Sequence, residues 1–164
     1  MKTWNIFNNE APELAIIGRR MLFPNRARVG LAFLATLRKD GAPRLHPVAI
    51  VHSKEHLYVF IPPTSPKCAD LQRDGRYAMQ AFPPPDNKDG EEFYLSGRAE
   101  CIQDREIRNA IITETETRVG EGEILFELLL DRIMYTRLVH QDTPDEHPLH
   151  KMWRATNKEN SNSE

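Results

Sequence analysis

The sequence predicts an α+β domain, mainly β, in which antiparallel strands close or nearly close into a barrel. Apolar segments of strand length recur at hairpin-like spacing, Gly- or Pro-marked turns separate them, and only a few short helical patterns interrupt them. Closure is the expected arrangement because it removes the unpaired edges that an open sheet of such strands would expose. About six strands are expected. The pattern by itself supports a plain small α+β domain better than any particular barrel topology.

"NNEAPELAIIGRRMLF" places Pro12 early and spaces Leu14, Ile17 and Met21 by three and four, which predicts one short amphipathic helix. Val29–Leu37, Leu45–Val51 and Leu57–Ile61 then read as three strands of a meander, with turns at Asp40-Gly41 and Lys54-Glu55. Ser65–Asp74 reads as a helix with Cys68 and Leu71 inward and Gly75 as its left-handed stop. "RYAMQAF" is a fourth strand, "PPPDNKDG" an exposed connection, and "EEFYLSGRAECI" a fifth strand. Asp104 caps a helix with Ile107, Ile111 and Ile112 as its apolar stripe, ended by Gly120 and Gly122, and "ILFELLLDRIMYTRLVHQ" is a long strand region bent near Asp131.

The chain has 164 residues, the size of one domain with a sizeable core. That domain is assigned to residues 1–154, and "ATNKENSNSE", residues 155–164, is a polar tail expected to be disordered. With 22 Lys and Arg against 24 Asp and Glu, the net charge of −2 gives no footprint for nucleic acid or an anionic membrane. Two cysteines are too few for a disulfide framework, and the N-terminus lacks the apolar core of a signal peptide. A cytoplasmic location is expected. No apolar run approaches the roughly 18 residues of a spanning helix.

"TSPKC" poses a local puzzle. Ser65 suits a helix cap and Pro66 a first helical residue, yet Lys67 sets a cation where the helix dipole favours an anion. The free N–H groups of a first helical turn bind phosphate readily, and a hydroxyl and an ammonium beside them strengthen such a site. The competing reading is a solvated surface lysine, which the residues alone favour. Pro47 inside a strand implies an edge, a bulge or an approach by something other than a strand, and His46 beside it could donate to a phosphate or to the carbonyl of a planar ligand.

The ordered series "LATL", "HPV", "LYVF", "SPK", "DLQRDGRYAM" and "GRAE", followed by "ILFELLLDRIMYTRL", resembles the FMN-binding split-barrel superfamily of pyridoxamine 5′-phosphate oxidase-like proteins. The resemblance implies a six-stranded antiparallel split β-barrel of Greek-key order with short flanking helices, a homodimer, and FMN in two clefts at the subunit interface. It assigns Ser65 and Lys67, with Thr64 adjacent, to the flavin phosphate. His46 falls where many members have a phosphate-binding arginine. Pro47, Val48 and Ala49 match the strand that lines the flavin ring, and Phe60 and Ile61 the residues beside the ring and ribityl chain. Glu92 falls at a ring-contacting glutamine, and Trp153 and Arg154 at residues that reach the cleft from the second subunit. Pro66 replaces a second basic residue, His46 replaces the arginine, and the oxidase's C-terminal Arg-Leu-x-Pro signature is missing, all of which points away from oxidation of pyridoxamine phosphate itself.

The activity this implies is two-electron transfer by FMN to or from a small-molecule substrate, with no side-chain acid or base assigned. A flavin- or haem-binding module without turnover and a deazaflavin-dependent reductase are the alternatives. His140, His147 and His150 cluster without the cysteines or acidic pattern of a metal site and read as surface histidines, while Cys68 and Cys101 read as buried, inert thiols.

Overall fold

Alternation of apolar residues from Val29 onward is converted into sheet. Three antiparallel strands, β1 (Val29–Leu37), β2 (Pro43–Ser53) and β3 (His56–Ile61), form the meander. The first turn is closed by the Asp40 carboxylate accepting from the Ala42 N–H at 3.1 Å. The second, Lys54-Glu55, holds both residues at positive φ, 46° and 65°. β4 (Arg76–Ala81) crosses back to pair with β1, followed outward by β5 (Glu92–Ile102) and β6 (Ile124–Val139), and β6 returns to pair with β3. The order β4-β1-β2-β3 is that of a Greek key, and the closed barrel has six antiparallel strands. The computed structural model describes residues 1–156, so most of the tail expected from Ala155 onward lies outside the described residues.

β6 is long enough to serve two neighbours on one edge. Ile124–Glu127 pair with β3, and Arg132–Val139 pair with a seventh strand, β7 (His147–Arg154). Between them Leu130 exchanges backbone hydrogen bonds with Lys2, and the Asp131 carbonyl accepts from the Ala155 N–H. The bend expected near Asp131 is a β-bulge: the register with β5 shifts between Ser96 and Gly97. Gly97 is required there, because a Cβ would lie 1.9 Å from the Leu129 carbonyl oxygen. β7 was not expected. It is an edge strand whose side chains are all exposed except Trp153, so it has no apolar alternation to announce it.

The N-terminal segment forms two helices rather than one, α1 (Trp4–Glu10) and α2 (Pro12–Leu22). Three asparagines weaken helix propensity in α1, but Trp4 and Phe7, one turn apart and fully buried, decide the matter by packing. Pro12 opens α2 as its first residue. α3 (Pro66–Asp74) ends at Gly75, whose N–H bonds to the Leu71 carbonyl. α4 (Arg105–Thr115) starts on Asp104, which accepts from the Glu106 and Ile107 N–H groups at 2.8 and 3.2 Å. It stops at Thr115, before the expected glycines, because Glu116 turns left-handed, and of the isoleucine stripe Ile111 is buried while Ile107 is exposed. The main core fills the barrel and continues through Trp4, Phe7, Leu14 and Leu22 of the two N-terminal helices.

Cys68 is buried, but Cys101 is exposed, contrary to expectation. β4 covers β5 only as far as Arg98, leaving the last residues of β5 without that neighbour. No helix among the described residues is long and apolar enough to cross a membrane.

Candidate functional site

β2 and β3 part company early. Only Val51–Ser53 pair with Tyr58–His56, so Pro43–Ile50 of β2 and Val59–Ile61 of β3 have no strand partner between them. Beyond this parting β3 runs through Pro62–Thr64 into Ser65 and α3. The split therefore has His46, Pro47, Val48 and Ala49 on one lip, Phe60 and Ile61 on the other, and Thr64, Ser65 and Lys67 at its continuation.

Within β2 the pleat divides the candidates. His46 is half-buried and Val48 buried on the inward face, whereas Pro47 and Ala49 point outward and are exposed. Ile61 is fully buried in the barrel. Phe60 is half-buried beneath α4, with the Arg108 guanidinium 5.7 Å from its ring centroid, so its side chain serves packing while its backbone borders the split.

At the start of α3 the Ser65 side chain makes no cap hydrogen bond, the first turn contains no acidic residue, and Lys67 makes no ion pair among the described residues. The helix is held from its other side. Asp70, buried, accepts from Arg44 Nε at 2.8 Å and from the Thr36 hydroxyl at 3.0 Å, with Arg73 at 3.3 Å. Burial works to raise the Asp70 carboxyl, but the hydrogen bonds from Arg44, Thr36 and Arg73 outweigh it and hold the pKa below the ordinary 3.8. Arg44, which sequence reasoning missed, thus ties the free half of β2 to α3. Its only local signal is the alternation that puts it on the face of His46.

The remaining candidates stand elsewhere in the chain. Glu92 opens β5, exposed and paired with Thr136. Trp153 is buried against Phe7, ring centroids 5.0 Å apart, and its indole N–H donates to Glu10 at 3.1 Å. Arg154 beside it is exposed. Leu125 pairs with Phe60 and Ile133 with Trp153, so eight residues of β6, roughly 26 Å at about 3.3 Å per residue, separate the two ends. Trp153 and Arg154 do not share the split of their own chain.

The sheet's outward face presents a row six strands wide: Pro47, Phe33, Gln80, Tyr94, Met134 and Met152 are successive register partners. Leu31, Leu45 and Met152 on this face are 54%, 64% and 59% exposed. Glu92 and Arg154 lie on it too, as do Pro47 and Ala49. The three histidines expected at the surface are all exposed: His140 and His147 face one another at 5.6 Å and His150 bonds Thr136. Among the described residues no group of three or more His, Cys, Asp or Glu could hold a metal ion.

Known proteins place this architecture. A 16% identical structure of a NimC/NimA family protein from Clostridium acetobutylicum superposes with a TM-score of 0.55 over 87% of this chain and 93% of that one. A haem-binding protein from Mycobacterium smegmatis, 16% identical, gives 0.55 over 79% of this chain and 55% of its own, so the chain spans little more than half that protein's length. An F420 reductase, 16% identical, gives 0.53 over 70% and 94%. At these identities the likeness is one of fold. No curated protein sequence matches the chain. The sequence model of the family described as pyridoxamine 5′-phosphate oxidase matches residues 25–155, from the turn before β1 to the end of β7, and the chain belongs to that family.

Proposed function

We propose that the chain is an FMN-binding oxidoreductase that works as a homodimer. The observation that carries this reading is the start of α3: a half-buried lysine without an ion pair among the described residues and a serine that does not cap its helix, at the continuation of a split in the sheet. These residues fit a phosphate dianion. First-turn N–H groups, the Ser65 hydroxyl and the Lys67 ammonium are all donors, and an anion attracted to both Lys67 and the helix dipole would offset the repulsion between them. Thr64 and His46 complete the donor set.

The free edges of β2 and β3 fit a flat heterocycle, since unpaired backbone groups can bond the polar rim of a ring and Pro47 lets the chain be approached without an orphaned N–H. Bound FMN would supply two-electron transfer to or from a small molecule. The chain's own part is to bind and orient. Lys67 and Ser65 fix the phosphate end, Pro47 to Ala49 and the Phe60–Ile61 backbone set the ring plane, and the Arg44–Asp70 bond ties the free half of β2 to α3.

The apolar outward row supports the dimer. Burying its exposed residues against a second copy would bring Glu92 and Arg154, on that same face, toward the partner's split, which neither reaches in its own chain. With one cation in the first turn of α3 rather than two, the phosphate is held less firmly than by a Ser-Arg-Lys sequence, each charge-assisted hydrogen bond contributing about 1.5–3 kcal/mol.

Absorbance spectra of the purified protein after separate additions of FMN, a deazaflavin and haem test the reading. A perturbed flavin spectrum saturating at micromolar FMN is expected. Binding of haem or the deazaflavin with none of FMN contradicts it.

A further inference from the structure

We propose that the cavity between α2, residues 24–28, the β2–β3 turn and the end of α4 is a second ligand site, which takes a small aromatic compound bearing a carboxylate or phosphate. None of the residues assigned to FMN lines it. Its volume, about 720 Å³, is of the size that encloses small organic ligands.

Charge selects an anion. Arg19 is paired with Glu55, Arg28 with Glu114, and Arg20 is held by Glu91. Arg26 and Lys54, which also line the cavity, make no ion pair within 4 Å among the described residues. Two cations are left to face an incoming oxyanion, and guanidinium forks suit carboxylate and phosphate alike.

Shape and polarity select an aromatic body. Ile16, 68% exposed, and Phe23 supply apolar wall, and the Phe23 ring lies 5.7 Å from that of His52. His52 is the one lining side chain among the described residues with a buried nitrogen, Nε2, that lacks a hydrogen-bond partner. That nitrogen is sealed from the cavity, and burial lowers the His52 pKa, so the ring contributes an uncharged aromatic wall.

Arg26, Lys54 and Glu55 have φ of 58°, 46° and 65°, a left-handed conformation that costs a side-chain-bearing residue of order 1–2 kcal/mol. A two-residue hairpin turn of this kind favours Asn-Gly. The turn thus holds Lys54 and Glu55 at the cavity rim in a conformation that glycine would adopt more readily and that Glu116, His140 and Asp142 also adopt elsewhere in the fold.

The test uses the ¹⁵N-labelled full chain titrated with phenyl phosphate and with benzoate, alongside inorganic phosphate and benzyl alcohol. The expected result is saturable shifts of Arg26, His52 and Lys54 for at least one aromatic anion, at least tenfold tighter than for inorganic phosphate or benzyl alcohol. The tighter of the two aromatic anions identifies the oxyanion. Arg26→Gln with Lys54→Gln should weaken it at least tenfold without lowering Tm. Equal affinity for inorganic phosphate, or no effect of the double substitution, overturns the proposal. So does loss of the shifts in FMN-saturated protein, which would put FMN itself in this cavity. Failure of the FMN reading is scored separately, because Lys67→Ala should leave phenyl phosphate binding unchanged.

Discussion

Arg44 Nε lies 2.8 Å from Asp70 Oδ2, a bond that joins the half of β2 without an outer neighbour to the helix that begins at Ser65. The carboxylate is buried, and it also receives Thr36 and Arg73. β2 leaves β3 after three paired residues. Its free half is otherwise held by β1 and by Val48 and Ile50 in the core, and the ion pair adds a direct tie from it to α3.

Asp70→Ala leaves Arg44 and the Thr36 hydroxyl without their partner and is expected to destabilise the fold by about 2–4 kcal/mol. Urea unfolding checks this. A loss below about 0.5 kcal/mol would mean that the network is solvated rather than structural.

Four carboxyls are held below their ordinary values, Asp74 to about 2 by the hydrogen bond from Arg76. In Asp70, hydrogen bonds overcome burial; in Glu91 the hydrogen bond from Arg20 leads; in Glu114 the one from Ser53. A depressed folded pKa means that the unfolded chain binds more protons as pH falls through the ordinary range, so the stabilisation is complete above that range and lost below it. The urea midpoint is expected to decline modestly as pH falls through the ordinary histidine range, because burial lowers the His52 pKa, and to fall more steeply below about pH 4.5, less steeply in Asp70→Asn. Equal midpoints at pH 3.5 and pH 6 would contradict this.

The outward row predicts where two copies meet. Leu31→Glu with Leu45→Glu places charge on two residues already 54% and 64% exposed, so the barrel should stay folded while the dimer dissociates. Light scattering at micromolar concentration should change from dimer to monomer, with FMN affinity falling in parallel. A doubly substituted protein that remains dimeric would move the interface elsewhere.

What could be read from the sequence depended on how local its cause was. Strand alternation, the Asp40-Gly41 and Lys54-Glu55 turns, the Asp104 cap and the cation at Lys67 are each written within a few residues, and the family resemblance ordered them into a split barrel. β7 was hidden because seven of its eight side chains are exposed. α1 was hidden because its asparagines argue against a helix that Trp4 and Phe7 stabilise by packing. Asp70 and Arg44, 26 residues apart, have no periodic relation, so their bond is visible only once the barrel is closed. Trp153 resembles a residue that reaches a second subunit, yet its indole is engaged with Phe7 and Glu10 of its own chain.

The central claim is that Lys67 holds a flavin phosphate, and comparing FMN with riboflavin isolates that contact. Affinities of both should be measured by flavin fluorescence for the native chain and for Lys67→Ala. The account predicts that FMN binds the native chain more tightly than riboflavin, and that the substitution weakens FMN by about 10- to 100-fold, the loss of one charge-assisted hydrogen bond, while riboflavin changes by less than about threefold. Equal losses for both flavins, or no loss for FMN, would contradict it.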